Sequence, residues 1–333
     1  MSLAALIALG VGFALTVYAI FGGADFGAGI LDLTLRASPP QRGALARTIG
    51  PLWEANHVWL IFTITILFSA FPTGFAALGT ALLAPFTLAL MAIVVRGVAF
   101  SLRTSATPPA RIDRPLGLAF GAASVVAPLL FGASAGALAE ASSSSRASAT
   151  PLSLPWTGLF AVLVGLLAVA LCAHLAASFM TNRLDHTGQP RLADGFRRRG
   201  LQTGAAVLAL SLLALIGAAW KAPDLWHRLT GPALPVVVIG LLAAAVSVYG
   251  LARRRYLLAR GATMLTAAAV IWGWLIAQSP RVIGTHLTIH TTAATGPALT
   301  AITIASAVVL VSVLPAFYLL YVLFAHPSPE GTQ

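Results

Sequence analysis

Ionisable side chains stand inside apolar sequence at two places near the N-terminus. The stretch FGGADFGAGILDL carries Asp25 and Asp32, and the stretch GPLWEANHVWLIF carries Glu54 and His57. Carboxylates and imidazoles exchange protons and pair with cations, and histidine also binds metals. Each such group costs roughly 3 kcal/mol or more inside a bilayer and usually faces the protein interior or a water-filled path. These residue types indicate a proton or ion path, a polar packing cluster or a metal site.

An antiparallel helical hairpin would place the two stretches at a similar depth. Asp25 lies eleven residues before Arg36, roughly 16 Å along a helix, and Glu54 lies seven residues after Arg47, roughly 10 Å. Arg96, in the third apolar segment, lies roughly 10 Å from the arginine that ends that segment. We therefore expect carboxylate, imidazole and guanidinium groups to cluster in one layer of the membrane.

The neighbouring residues have the spacing of helix faces. Asp32 follows Asp25 by seven residues and His57 follows Glu54 by three, so each pair shares a face. Two glycines that flank Asp25 are four residues apart, the spacing that lets another helix approach closely. The candidates for helix packing or subunit contact are Gly23, Gly27, Trp53, Asn56 and Trp59.

The residues alone leave three interpretations of this cluster open. It could fix helix packing, it could line a proton or ion path or a partner's active site, or His57 could bind a metal or haem. His174 stands alone in an apolar segment and is interpreted as a hydrogen-bonded core residue.

Composition identifies the class of protein that must position these groups. Of 333 residues, 58% are hydrophobic and only 9% are charged, whereas soluble domains carry about 25% charged residues. Apolar runs of about 20 residues predict a helical integral membrane protein. The single cysteine, Cys172, excludes an intrachain disulfide framework. No cysteine-rich metal site and no nucleic-acid partner is predicted, and no residue is assigned as a metal ligand.

Breaks at prolines and polar stretches divide the chain into nine apolar segments. The segments are 3–35, 46–70, 75–102, 115–139, 156–181, 201–221, 232–252, 258–279 and 297–324. The predicted fold is all-α, a single membrane domain over residues 1–333. It would contain a first four-helix bundle (1–139), a second four-helix bundle (156–279) and a last, peripheral helix (297–324).

Charge predicts the orientation of these segments. Of the 20 Lys and Arg residues, fifteen lie in the loops that follow segments one, three, five and seven, and four lie in the opposite set of loops. Positive loops face the cytoplasm. The N-terminus is therefore predicted outside and the C-terminus in the cytoplasm, and the net charge of +11 is mainly a signal of orientation.

At the two polar stretches the sequence resembles subunit II of the cytochrome bd-type quinol oxidases, in wording closest to the cyanide-insensitive branch. The resemblance continues, in the family's order, through VVRGVAFSLR, GWLIAQSP, LTIHTTAATGPALT and LPAFYLLYVLF. It covers nearly the whole chain, and the first two motifs together are the most specific part of it.

The resemblance implies a function in a bacterial cytoplasmic membrane. The complex would oxidise quinol, reduce dioxygen to water and take the protons for water from the cytoplasm. The b- and d-type haems would belong to a larger subunit I, with which this chain forms a heterodimer, and this chain would bind no cofactor and carry no catalytic residue. Membrane lipid and an optional small single-helix subunit complete the expected partners. The candidates for a proton route or buried polar cluster are Asp25, Glu54, His57, Arg96 and Asp32.

Two other functions compete with this one. A proton-coupled secondary transporter could use Asp25 and Glu54 as carriers, although transporters often interrupt helices in both halves of the fold and here the motifs lie in the first half. A self-contained membrane cytochrome would need its own haem ligands, and the chain has no CxxCH motif and no well-placed pair of transmembrane histidines.

Overall fold

The described part of the chain is almost entirely helical. The computed structural model describes residues 2–35, 39–105, 110–143, 154–284 and 286–325. In a bilayer every backbone polar group must be satisfied within the protein, and long apolar segments therefore fold as helices. This confirms the prediction of an all-α polytopic membrane protein.

Eleven helices and one two-stranded hairpin follow one another in the described ranges. They are α1 (Leu3–Leu35), α2 (Pro39–Ala70), α3 (Pro72–Ala81), α4 (Leu83–Ser105), α5 (Ala110–Ser143), α6 (Leu159–His186), α7 (Pro190–Lys221), α8 (Pro223–Leu229), α9 (Leu234–Ala252), α10 (Tyr256–Gln278), β1 (Arg281–Ile283), β2 (Leu287–Thr288) and α11 (Gly296–Ala325).

Membrane-spanning length is clear for most of these helices. Within the described residues, seven helices are long and apolar enough to cross a bilayer. An eighth span would be formed by the Asn56–Ala70 part of α2 together with α3, which are bent by 117° relative to each other. The bend falls where Pro72 begins α3, because proline has no N–H to continue the preceding helix.

The third apolar segment departs from the prediction. The sequence predicts one helix over 75–102, whereas the structure interrupts it at Leu82, between α3 and α4. Pro85 lacks the N–H that would bond the carbonyl of Ala81 in a continuous helix. The backbone N–H of Leu154 donates to that carbonyl instead, at 3.0 Å. A contact distant in sequence thus stabilises the break.

The sixth segment is longer than its apolar run. The sequence predicts a break over 188–199 and a helix over 201–221, but α7 already begins at Pro190. Arg191 and Arg198 are exposed on its first turns. The chain does break at residues 187–189, but the predicted extent of the break was wrong, because a helix can continue beyond the membrane with its backbone bonded internally, whatever the polarity of its side chains.

Glycines let α1 pack closely against α6. A Cβ atom on Gly27 would lie only 1.9 Å from the carbonyl oxygen of Cys172, and one on Gly23 would lie 3.0 Å from Cδ1 of Leu175. The helix that approaches the predicted small-residue face is therefore α6. Helix α1 also packs against α2, α5 and α10.

Glycines also let α5 and α6 pack closely against each other. A Cβ atom on Gly165 would lie 2.5 Å from the carbonyl oxygen of Leu129, and one on Gly132 would lie 2.7 Å from that of Val164. Close backbone approach through small residues is how membrane helices gain packing contacts without a hydrophobic driving force. Helices α1, α5 and α6 thus form a tightly packed centre, and the division into two four-helix bundles stays a prediction.

Polar contacts join the ends of helices α5, α8 and α10. Arg281, which begins β1, forms an ion pair of 2.6 Å with Asp224 and donates to the backbone carbonyl of Ser142 at 2.9 Å. Gln278 donates to the hydroxyl of Ser142 at 2.7 Å. The antiparallel hairpin of β1 and β2 lies at this end of the molecule.

The close contact at Gly27 generates a stability prediction. We expect Gly27→Ala to destabilise the protein by about 1–3 kcal/mol, because the added methyl group must displace a backbone carbonyl. Gly10→Ala is the matched control on the same helix, since no atom lies within 4 Å of a Cβ there. Denaturation of the purified protein in mixed micelles measures both. Equal stability of the two variants would contradict the packing described for α1 and α6.

Candidate functional site

A fully buried ion pair joins α1 and α4. The Nη2 atom of Arg96 donates to Oδ1 of Asp25 at 2.6 Å and to the backbone carbonyl of Asp25 at 3.0 Å. The two side chains are 3% and 1% exposed, for Asp25 and Arg96 respectively. A buried charge of either sign is costly unless it is paired and hydrogen-bonded, and here each charge balances the other.

The remaining surface of the guanidinium group is also occupied. Its Nε donates to the hydroxyl of Ser124 on α5 at 3.0 Å. Its central carbon lies 4.9 Å from the ring centroids of both Phe26 and Phe120. Aromatic faces attract a desolvated cation, and Arg96 of α4 is thus held by a carboxylate, a hydroxyl and two rings from two other helices, α1 and α5.

A glycine brings Ser124 into this cluster. A Cβ atom on Gly29 would lie 2.1 Å from the hydroxyl oxygen of Ser124 and 3.1 Å from the ring of Phe120. Helix α5 packs against both α1 and α4 and therefore lies beside both partners of the ion pair. The glycine at 29 lets α5 approach closely enough for its hydroxyl to reach Arg96.

A second charged cluster lies two helical turns further along. Arg103 of α4 pairs with Asp32 of α1 at 3.2 Å and with Asp113 of α5 at 3.0 Å. The carboxylates are more accessible here, since Asp32 is 11% and Asp113 is 38% exposed. The spacing is seven residues from Asp25 to Asp32 and seven from Arg96 to Arg103. The sequence contains this matched spacing, but the roles of Arg103 and Asp113 as ion-pair partners were missed.

Helix α2 adds polar and aromatic groups beside α1. The buried amide of Asn56 donates to the backbone carbonyl of Phe21, at 3.2 Å and one turn before Asp25. His57 is the next residue and is partly buried. Trp59 is buried and makes an edge-to-face contact with Phe13, at 6.1 Å between ring centroids. The structure thus places Asn56 and Trp59 at the contact between α1 and α2.

Two predicted residues fall outside this description. The side chains of Trp53 and Glu54 lie outside the described residues, although their backbone belongs to α2. Their assignment to the site stays a prediction, as does the proton-transfer role of the whole group.

His174 of α6 occupies a separate polar cluster. Its Nδ1 lies 3.0 Å from the backbone carbonyl oxygen of Gly200, and its Nε2 lies 2.8 Å from the hydroxyl of Ser247. The hydroxyl of Thr263 lies 3.3 Å from the same Nε2 and 3.0 Å from that of Ser178. This confirms the interpretation of His174 as a hydrogen-bonded core residue. Both ring nitrogens have partners from the chain, an arrangement that does not fit a haem ligand.

Metal-ligating side chains do not gather elsewhere in the described residues. Across those ranges, no three His, Cys, Asp or Glu side chains lie close enough together to hold a metal ion. The chemistry that the described site offers is hydrogen bonding and charge, carried by Asp25, Arg96, Asp32, Arg103 and Asp113.

The buried and the partly exposed ion pairs predict different costs of substitution. We expect Arg96→Gln to destabilise the protein by about 3–5 kcal/mol, because it leaves the charge of Asp25 buried and unpaired. Arg103→Gln is the matched control and should cost less than Arg96→Gln, because its partner Asp113 is 38% exposed and water replaces part of the lost interaction. The double variant Asp25→Asn with Arg96→Gln should lose less than the two single changes together.

Denaturation of the purified protein in mixed micelles measures these changes in stability. The signal is the loss of helix content. A loss for Arg103→Gln as large as that for Arg96→Gln would show that burial does not set the cost. Strict additivity of Asp25→Asn and Arg96→Gln would show that the two residues are not coupled.

Comparisons with known proteins place this geometry in a family. The family model described as cytochrome bd terminal oxidase subunit II matches residues 3–324. A chain of the bd oxidase structure from Geobacillus thermodenitrificans has the same fold, with a TM-score of 0.81 and 23% identity. The match covers 97% of this chain and 99% of that one.

Two curated relatives match over shorter stretches. Cytochrome bd ubiquinol oxidase subunit 2 of Bacillus subtilis (strain 168) is 41% identical over 81 residues, 24% of each chain. Cytochrome bd-I ubiquinol oxidase subunit 2 of Escherichia coli (strain K12) is 33% identical over 94 residues, 28% of this chain and 25% of the relative. The aligned part thus spans about a quarter of the length of these relatives. Because the family model matches nearly the whole chain, this protein belongs to the cytochrome bd terminal oxidase subunit II family.

Proposed function

We propose that this chain is the non-haem subunit II of a membrane quinol:dioxygen oxidoreductase. The observation that carries the proposal is the family match along residues 3–324. The curated relatives are named as subunit 2 of cytochrome bd ubiquinol oxidases, and the fold is that of a chain of a bd oxidase. Family membership does not favour the alternative of a secondary transporter.

The proposed partner is a haem-bearing subunit I. A family named as subunit II implies at least one other chain, and the b- and d-type haems are assigned to that chain. The hydrogen bonds at both ring nitrogens of His174 support this assignment, because haem ligation there would break one of them. The role of this chain is then to support the partner, with quinol as the substrate of the complex. A small single-helix subunit is an optional addition.

We also propose the membrane arrangement in detail. Nine spans would be formed by α1, α2, α4, α5, α6, α7, α9, α10 and α11, in a bacterial cytoplasmic membrane. The segregation of fifteen Lys and Arg residues to one set of loops supports a cytoplasmic position for the C-terminus and an outside position for the N-terminus.

The charged groups of α1, α4 and α5 support a proton route from the cytoplasm. In this orientation Asp113, Arg103 and Asp32 lie nearest the cytoplasmic side, and Asp25 lies roughly 10 Å deeper along α1. Exposure falls along the same path, from 38% for Asp113 to 3% for Asp25. A deep carboxylate preceded by accessible ones is the arrangement expected of a proton relay. Glu54 and His57 on α2 are the further candidates.

The first prediction concerns the complex. When this chain is tagged and purified from its native membranes, we expect haem b and haem d signals in the reduced-minus-oxidised spectrum. These signals should travel with a second, larger membrane protein. A colourless preparation with no partner would overturn the oxidase proposal and leave the family likeness as a shared fold. A haem spectrum from this chain alone would overturn its non-haem assignment.

The second prediction concerns the proton route. We expect Asp25→Asn to lower quinol-dependent oxygen consumption by about tenfold or more, because amides do not transfer protons as carboxylates do. Asp25→Glu should restore a measurable part of the activity, which a purely structural role would not predict. Glu54→Gln should also lower turnover. The control is Asp194→Asn on α7, a carboxylate that is 39% exposed and pairs with Arg197 and Arg254, away from α1.

Haem content per complex separates loss of assembly from loss of turnover in these variants. Normal haem content with normal turnover in both Asp25→Asn and Glu54→Gln would rule out the proton route. Equal loss in Asp25→Asn and Asp25→Glu would indicate that Asp25 only packs against Arg96.

A further inference from the structure

An apolar groove runs along the outer surface between α9 and α10. Its volume is about 710 Å³, within the range of about 300–1,000 Å³ that is typical of ligand-binding clefts. All nine lining side chains are apolar or glycine: Ile239, Leu242, Ala243, Val246, Leu257, Leu258, Gly261, Ala262 and Leu265. Several of them are exposed, so the groove opens toward the surroundings of the helices and not into the protein core.

Small residues form the floor of the groove and leucines form its rim. Gly261 has no atom within 4 Å of the place where a Cβ would stand, and this open space deepens the groove. Ala243 and Ala262 are buried beneath it, whereas Leu242 and Leu257 are exposed beside it. The surface is therefore an open groove with apolar walls, suited to a flexible hydrocarbon chain.

The position of the groove matches one leaflet of a bilayer. Leu257 stands one residue from the start of α10, so the groove begins at the end of that helix, whereas on α9 the nearest lining residue is Val246, roughly 9 Å from the helix end. Ile239 lies thirteen residues, roughly 20 Å, from the end of α9, and Leu265 lies roughly 14 Å from the start of α10. The groove thus reaches about half of the way across a hydrocarbon core of about 30 Å on α10 and about two thirds of the way on α9. This is the length that an acyl chain of one leaflet occupies.

Positive charge stands at the end where the groove opens toward water. The turn between α9 and α10 consists of Arg253, Arg254 and Arg255, all exposed. Arg254 bonds to Asp194, whereas Arg253 and Arg255 have no carboxylate partner among the described residues. Arg253 follows Val246 by seven residues and so continues the face of α9 that lines the groove.

We propose that this groove binds an anionic phospholipid. One acyl chain would lie in the groove, and the phosphate would pair with Arg253 and Arg255. A free phosphate would leave the apolar groove empty, and a neutral lipid would leave the two arginines unpaired. Under the orientation proposed above, the lipid belongs to the cytoplasmic leaflet, whose anionic lipids attract basic residues next to helix ends.

The test uses the purified complex that contains the full chain, reconstituted in nanodiscs. The probes are phosphatidylglycerol and phosphatidylcholine that carry the same photoactivatable acyl chain, and cross-linked peptides are identified by mass spectrometry. We expect phosphatidylglycerol to label the peptides that cover residues 239–265 at least threefold more than phosphatidylcholine does. Haem content confirms that each variant is assembled, and the readout does not depend on oxidase activity.

Two variants address the two parts of the site, each with a matched control. Gly261→Leu fills the groove and should reduce labelling at residues 239–265 at least threefold, whereas Gly10→Leu places the same side chain in open space on α1 and should not. The double variant Arg253→Gln with Arg255→Gln should remove the preference for phosphatidylglycerol. The double variant Arg111→Gln with Arg114→Gln removes two exposed charges from the first turns of α5 and should leave the preference unchanged.

Other outcomes would overturn the proposal. Equal labelling by both lipids, unchanged in the arginine variant, would identify the groove as ordinary lipid contact. Protection of residues 239–265 from both probes would indicate that a protein helix covers the groove. Labelling that survives in Gly261→Leu would show that the acyl chain lies elsewhere.

Discussion

The rest of the structure depends on the buried pair of Asp25 and Arg96. Two opposite charges that are 3% and 1% exposed would each cost several kcal/mol if unpaired, so α1 and α4 must keep the position that joins them. Ser124 and two phenylalanine rings complete the surroundings of the guanidinium group. The cluster therefore fixes how α1, α4 and α5 pack together. Apolar side chains alone would allow many alternative packing arrangements inside a membrane.

Close packing and charge pairing require each other here. Without the glycine at 29, the hydroxyl of Ser124 could not stand beside Arg96, and without the glycine at 27, α6 could not support α1 from the other side. The pair of Asp32 with Arg103 repeats the first pair after seven residues on both helices. A slide of α4 by one turn would break both pairs together, so the two pairs jointly set the register of α1 and α4.

Sequence predicted what local physics determines and missed what distant contacts determine. Apolar length predicted the helices, and the depth of Asp25 and Arg96 could be estimated from helical rise. The break before α4 could not be predicted, because it needs the N–H of Leu154 to satisfy the carbonyl of Ala81. Glycine spacing indicated a close helix contact but did not identify α6 as the partner. The early start of α7 was missed because an apolar run indicates which residues lie in the membrane, whereas the helix extends beyond them.

The two charged clusters differ in exposure, and this bears on the proposed proton route. Arg103 pairs with both Asp32 and Asp113, and Asp113 is 38% exposed. Asp25 and Arg96 are 3% and 1% exposed. Water therefore reaches the outer cluster, whereas the deep pair is shielded from it. A proton that reaches Asp25 must compete with the 2.6 Å bond from Arg96. Conduction would then require Arg96 to exchange partners, and the hydroxyl of Ser124, already 3.0 Å from its Nε, is the neighbouring acceptor that could retain it.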